Sequence, residues 1–316
     1  VNARGSAPAP PAGAVVFLGP SLSVAEAAGH CPATWLPPAR QGDLWRAVRT
    51  FRPAAVGLID GVFLDAPAVW HREILWALSQ GVHVFGAASM GALRAAELDR
   101  FGMRGIGRVY AAYRDGVWPG YDDAFEDDDE VAVIHAPAEL GGQALSDAMV
   151  DIRDTLLAAE AAGLLGRTER DALAAAMKRL HFAQRRFARL GEAAREQLAP
   201  ARAAALQDWL PGHVVARKRL DALEMLASLA ECLRTGPPAC VAGFAFERAL
   251  VWERFVAAEP AVPLDDDARL VLEELRLRPE QWRRALLAGL GRLRALGEAP
   301  AAAPEAVRRE LDALRW

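Results

Sequence analysis

Ser89 sits in Gly81-Val-His-Val-Phe-Gly-Ala-Ala-Ser-Met-Gly-Ala-Leu-Arg-Ala-Ala-Glu-Leu98, which reads as a short buried strand, a turn of small residues and a helix starting near Met90. A hydroxyl at such a turn meets the unpaired N–H groups of the first helical residues, Met90 and Gly91, donors that can hold a developing oxyanion. This is the logic of a nucleophile elbow, although Gly-Ala-Ala-Ser-Met-Gly is not the hydrolase Gly-x-Ser-x-Gly. Serines at helix starts are ordinarily N-caps, and the motif by itself favours the cap. Arg94, one helical turn on, is placed to contact an anionic substrate or to hold a carboxylate such as Glu97 or Asp60.

Ser21, in Gly19-Pro-Ser21, is the competing nucleophile, with plain turn chemistry as its simpler explanation. Asp60, followed by Gly61, is either a turn residue or a site carboxylate. A serine nucleophile needs a base. Of the 37 Lys and Arg residues only Lys178 and Lys218 are lysine. Arginine cannot release its proton near neutral pH, whereas a desolvated lysine can. Lys178 has the more apolar neighbours and Lys218 lies between Arg217 and Arg219; both settings favour a neutral amine, and the sequence leaves the two even. His71 and Glu73, two residues apart, do not share a helix face. The acidic run at residues 126–130 lacks the spacing of a calcium loop and reads as solvated or partner-facing. No metal is expected, and without a Gly-rich phosphate loop no nucleotide or other cofactor is expected either.

These residues need a scaffold. Apolar runs at residues 15–18, 55–59, 82–85 and 131–134 read as strands, the first three so uniformly apolar that both faces of the sheet should be covered. Residues 43–51, 68–80 and 90–100 have helical length and spacing. The alternation predicts an α/β fold, a mainly parallel sheet flanked by helices, followed by an all-helical C-terminal region. Gly19, Asp60 and residues 86–89 each fall just after a strand, where open α/β sheets form their ligand crevices. Helical patterns at 146–162, 167–189 and 214–234 follow. The expected organisation is a loose tail over 1–13, an α/β core over 14–140, a helical region over 141–240 that completes the site, and a helical extension over 241–316.

Composition narrows the class. With 53% hydrophobic and 25% charged residues in 316, the chain has the make-up of a soluble globular protein. A net charge of −4 favours neither nucleic acid nor an anionic membrane, and acidic residues are interleaved among the helical arginines. Three cysteines without paired spacing suit a reducing compartment, so a cytoplasmic location is expected. No apolar run has the length of a membrane span.

Several segments occur together in a telling order: Val15-Val-Phe-Leu-Gly-Pro-Ser-Leu22, Leu36-Pro-Pro-Ala-Arg-Gln-Gly-Asp-Leu44, Val56-Gly-Leu-Ile-Asp-Gly-Val-Phe63, Val69-Trp-His-Arg-Glu-Ile-Leu75, the Ser89 stretch, Phe101-Gly-Met-Arg-Gly-Ile-Gly107 and Asp127-Asp-Asp-Glu-Val-Ala-Val-Ile-His135. In this order and at these distances they resemble TfuA-like proteins, over residues 14–225. The resemblance implies an accessory protein of a YcaO-type enzyme, which replaces a backbone oxygen of a precursor peptide with sulfur. It further implies a Ser–Lys hydrolase that releases sulfide from a thiocarboxylated, ubiquitin-fold sulfur carrier of the ThiS type. The alternative it implies is a non-catalytic adaptor that recruits peptide or carrier to the YcaO enzyme.

Overall fold

The computed structural model describes residues 13–62, 66–135, 143–236 and 240–258, together with Arg284. Its strands are β1 (Ala14–Phe17), β2 (Thr34–Leu36), β3 (Ala55–Leu58), β4 (His83–Gly86) and β5 (Arg104–Gly105). Its helices are α1 (Val24–Ala27), α2 (Asp43–Phe51), α3 (His71–Ser79), α4 (Met90–Leu98), α5 (Gly107–Asp115), α6 (Met149–Ala161), α7 (Arg167–Lys178), α8 (Phe187–Gln197), α9 (Pro200–Trp209), α10 (Arg217–Thr235) and α11 (Leu250–Ala258).

The strands form one sheet in the order β2-β1-β3-β4-β5, and every neighbouring pair is parallel. In the centre Val15 lies opposite Val56, and Val56 opposite Val84. Because side chains alternate along a strand, each apolar strand feeds two cores. Val15, Phe17, Val56, Leu58 and Val84 pack with α2, α3 and α4 through Leu44, Val48, Ile74, Leu78 and Met90. Ala14, Val16, Ala55, Ile59 and Phe85 pack on the other side with Ala27 of α1 and with Ala222, Met225, Leu226 and Leu229 of α10. The fold is therefore α/β with helices on both faces, as the apolar strands predict, and the long C-terminal α10 supplies most of one face. A third core, around Trp118, Phe125, Met149, Leu156, Leu173, Met177 and Leu206, joins α5 to the helices α6–α9.

The described residues up to Glu253 belong to one compact unit, and a second begins at Arg254. All but the last residue of the expected tail over 1–13 and most of the expected extension over 241–316 lie outside the described residues. Among the described residues no helix is long and apolar enough to cross a membrane.

Three local expectations are corrected. Residues 131–134 are not a strand: a short 3-10 turn at Asp128–Glu130 leads into irregular chain. Val131 is buried there in the helical core, and Ile134 exchanges hydrogen bonds with residues 145 and 146 instead of with the sheet. The strands not expected, β2 and β5, are three and two residues long. Finally, residues 167–189 do not form one helix. The fully buried guanidinium of Arg185 donates to the carbonyls of Met177, Lys178 and Leu180, satisfying the end of α7 and turning the chain before α8.

The contact of α4 with the sheet leaves no room for a side chain. A Cβ on Gly91 would stand 1.7 Å from the Leu58 carbonyl oxygen, and one on Gly86 would stand 2.1 Å from the Gly91 oxygen. Backbone cannot yield as a flexible side chain can. Gly91→Ala is expected to destabilise the protein by roughly 3 kcal/mol or more in urea unfolding, at or above the usual limit for overpacking. Gly212→Ala, where the added carbon meets nothing within 4 Å, should change stability by less than about 1 kcal/mol.

Candidate functional site

In the strand order 2-1-3 the chain leaves β1 and β3 toward opposite edges, and the carboxyl ends of two such neighbours are where open α/β sheets form their ligand crevices. Asp60 follows β3 and ties the two turns together. Its Oδ2 accepts the N–H groups of Gly19 (2.9 Å) and Ser21 (3.1 Å), and its Oδ1 accepts the Ser21 hydroxyl at 2.6 Å. The same Oδ1 lies 3.9 Å from Nζ of Lys218, which donates to the Val131 carbonyl at 2.9 Å. Asp60 is 2% and Lys218 4% exposed.

Lys218 is the second residue of α10, a helix start without a side-chain cap of its own. The cap comes from α6: Oδ1 of Asp151 accepts the Lys218 N–H at 3.1 Å. Burial is the main influence on this carboxyl and, against the opposing pull of that hydrogen bond and of the Lys218 charge, raises its pKa to about 6.

The third turn carries Ser89. Ala87 donates to the Leu58 carbonyl, and the Ser89 N–H closes on the Ala87 carbonyl at 2.7 Å. Between them Ala88 is held at φ +65°, in the left-handed region that a residue with a Cβ avoids, at a cost of about 1–2 kcal/mol. Ser89 is 3% exposed, and its side chain makes no capping hydrogen bond. The N-cap explanation therefore does not describe this serine. The Gly91 N–H is engaged by the Ile59 carbonyl at 3.2 Å. Of the two amides singled out in the sequence, only that of Met90 has no acceptor among the described residues. Ala88 and Ala222, the latter one turn beyond Lys218 on α10, belong to one apolar cluster on the same face of the sheet.

Lys178 lies elsewhere. Its ammonium bridges Asp127 (3.1 Å), Glu130 (2.9 Å) and Asp129. Burial would lower its pKa, but the bond to Asp129 and the charge of Glu130 outweigh this and hold it above the ordinary lysine value. Arg153, itself 2% exposed, grips Glu130 and Asp123 with paired bonds, and Arg185 takes Asp129. Part of the acidic run is thus internal structure and not a solvated face, because Glu130 is 1% exposed. Arg94 holds Glu97 at 2.8 Å and the Val69 carbonyl, with no bond to Asp60. His71 also meets Glu97, while Glu73 is buried under the backbone amides of Gly42, Trp45 and Trp70. Among the described residues no three His, Cys, Asp or Glu side chains are grouped to hold a metal.

The structure thus brings Gly19, Ser21, Asp60 and Lys218 into contact beside the Ser89 turn, and leaves Lys178 and Arg94 in ion pairs of their own. The family model for the TfuA-like protein matches residues 60–186. This stretch of the chain is TfuA-like. No curated protein gives a match. The TfuA-like stretch contains Asp60, Ser89, Met90, Gly91, Arg94 and Lys178, whereas Gly19, Ser21 and Lys218 lie outside it. Two parts of the site escaped sequence reasoning: the Val131 carbonyl, which carries no side-chain signal, and Asp151, which caps a helix 66 residues away, at the other end of the helical region.

A carboxyl whose folded pKa is raised binds its proton more tightly in the folded state. Its contribution to stability is therefore complete below the unfolded value and is lost as pH rises through the folded one. For Asp151 that window runs from 3.8 to about 6. Asp151→Asn, which keeps an acceptor for α10, should gain on wild type by on the order of 2–3 kcal/mol between pH 4 and pH 7. Urea unfolding at the two pH values checks this; a constant difference would show that Asp151 titrates normally.

Proposed function

We propose that the protein hydrolyses the thiocarboxylate of a ThiS-type sulfur carrier, releasing sulfide for a partner YcaO-type enzyme that thioamidates a precursor peptide. The observation that carries this reading is the buried Lys218 side chain paired with Asp60, next in sequence to Ile59, whose carbonyl holds the start of the helix that follows the uncapped Ser89. The backbone strain at Ala88 supports it, since strained turns persist where the surroundings enforce them for a purpose.

In this reading Ser89 Oγ attacks the carbonyl carbon of the thiocarboxylate while Lys218, as the amine, takes its proton. The Met90 N–H donates to the oxyanion. The C–S bond breaks, the proton passes from Lys218 to sulfur, and HS⁻ departs from an acyl-serine. Water then attacks the ester, again losing its proton to Lys218, and regenerates the serine with release of the carrier carboxylate. A thiocarboxylate is anionic and a poor electrophile, so both a strong nucleophile and a polar oxyanion site are required. Lys178 is a poor candidate for the base: three carboxylates hold it as a cation. It acts instead as a clamp on the 127–130 segment that presents the Val131 carbonyl. The reducing compartment suggested by the cysteines, the cytoplasm, suits a thioacid.

Mass spectrometry of the thiocarboxylated carrier incubated with the protein reads the reaction directly. Ser89→Ala and Lys218→Arg should each lower thioacid loss by roughly 10²-fold or more, with folding intact. Lys178→Arg should stay close to wild type in activity. Unchanged turnover in Ser89→Ala would defeat the catalytic assignment and leave recruitment to the YcaO enzyme as the role. Loss in Lys178→Arg alone would transfer the base to the lysine inside the TfuA-like stretch.

A further inference from the structure

We propose that Asp60 is the positioning residue and counter-charge for Lys218, and that Ser21 sets how strongly it acts by competing for the same carboxylate oxygen. The proposal rests on the Ser–Lys reading above and extends it to residues that reading does not use.

Lys218 has three N–H donors as an ammonium, and one is held by the Val131 carbonyl. Among the described residues Asp60 is the one carboxylate within 4.0 Å of it, and at 3.9 Å the pair is in ionic contact without a hydrogen bond. Oδ1 also accepts the Ser21 hydroxyl at 2.6 Å, so the hydroxyl and the ammonium share the charge of one oxygen. Oδ2 is engaged as well, by two backbone N–H groups that fix the carboxylate against the β1 turn. These bonds restrain the carboxylate, and the hydroxyl that shares Oδ1 reduces its pull on the ammonium.

A base must be neutral to accept a proton and tolerable as a cation once it has one. A fully formed Asp60–Lys218 salt bridge would keep the lysine charged, and no carboxylate at all would leave its cation uncompensated in a buried site. A restrained carboxylate at 3.9 Å meets both needs. The remaining charges near Lys218 are committed elsewhere. Asp151 of α6 accepts its backbone N–H, Arg217 pairs with Asp154 and Asp221, Arg219 pairs with Glu26, and Glu130 beside Val131 is held by Arg153 and Lys178.

The prediction is a pair of opposite shifts. Asp60→Asn removes the counter-charge, so Lys218 should lose its proton at lower pH; Ser21→Ala leaves the charge of Oδ1 unshared, so Lys218 should hold its proton to higher pH. Shifts of about one pH unit in each direction are expected. Because the chain has only two lysines, side-chain ¹⁵N NMR of lysine-labelled protein resolves both Nζ groups, assigned with Lys178→Arg. The same variants should move the base limb of the kcat/KM–pH profile in matching directions, with kcat lowered in Asp60→Asn. Titration of Lys218 at the same pH in wild type and both variants would overturn the proposal. If Asp60→Asn fails to fold, the upward shift in Ser21→Ala still decides it. The NMR arm does not depend on turnover: opposite Nζ shifts without thioacid hydrolysis would uphold the coupling while removing the Ser–Lys reading it was meant to serve.

Discussion

A single buried lysine side chain constrains the architecture. Lys218 cannot be left in an apolar interior without partners, because a buried polar group without hydrogen bonds, charged or neutral, costs about 1 kcal/mol or more. Its partners come from two directions: the Asp60 carboxylate from the sheet and the Val131 carbonyl from the helical side. To reach them, α10 must return across the sheet after more than a hundred intervening residues and bury Met225, Leu226 and Leu229 against β1, β3 and β4. The helical region is thus packed into the α/β sheet through α10 and is not an appendage.

A second ionic network holds the other wall. Arg153 and Lys178 share the buried Glu130 carboxylate, and Arg185 joins Asp129 to the end of α7. Networks of this kind are weak evidence for stability, since desolvation offsets much of the attraction, but removing one member strands a buried charge. Their effect here is geometric: they fix the 128–131 turn, and with it the carbonyl that holds Lys218. Lys178 belongs to this network, while Lys218 meets Asp60 and the Val131 carbonyl.

The sequence made the central strands, α2 and the crevice legible, because continuous apolar runs and turn residues are local signals. It missed β2 and β5, which at three and two residues are too short to show a pattern. It placed a strand at residues 131–134 because an apolar run looks the same whether it joins a sheet or packs among helices. Ser89 looked like a cap, since neither its missing cap bond nor the positive φ of the preceding Ala88 has a signature in the sequence. The two lysines could not be ranked because their difference lies in distant partners: three carboxylates around one, a single restrained carboxylate near the other.

The central claim is that the Ser89 turn carries the nucleophile and the Asp60-bound Ser21 does not. Rapid acid quench of the protein with thiocarboxylated carrier, followed by peptide mapping, locates the acyl group directly. The account predicts a transient carrier C-terminal acyl ester on Ser89, absent in Lys218→Arg. An acyl group on Ser21, or sulfide released without any acyl-serine at either position, would contradict it.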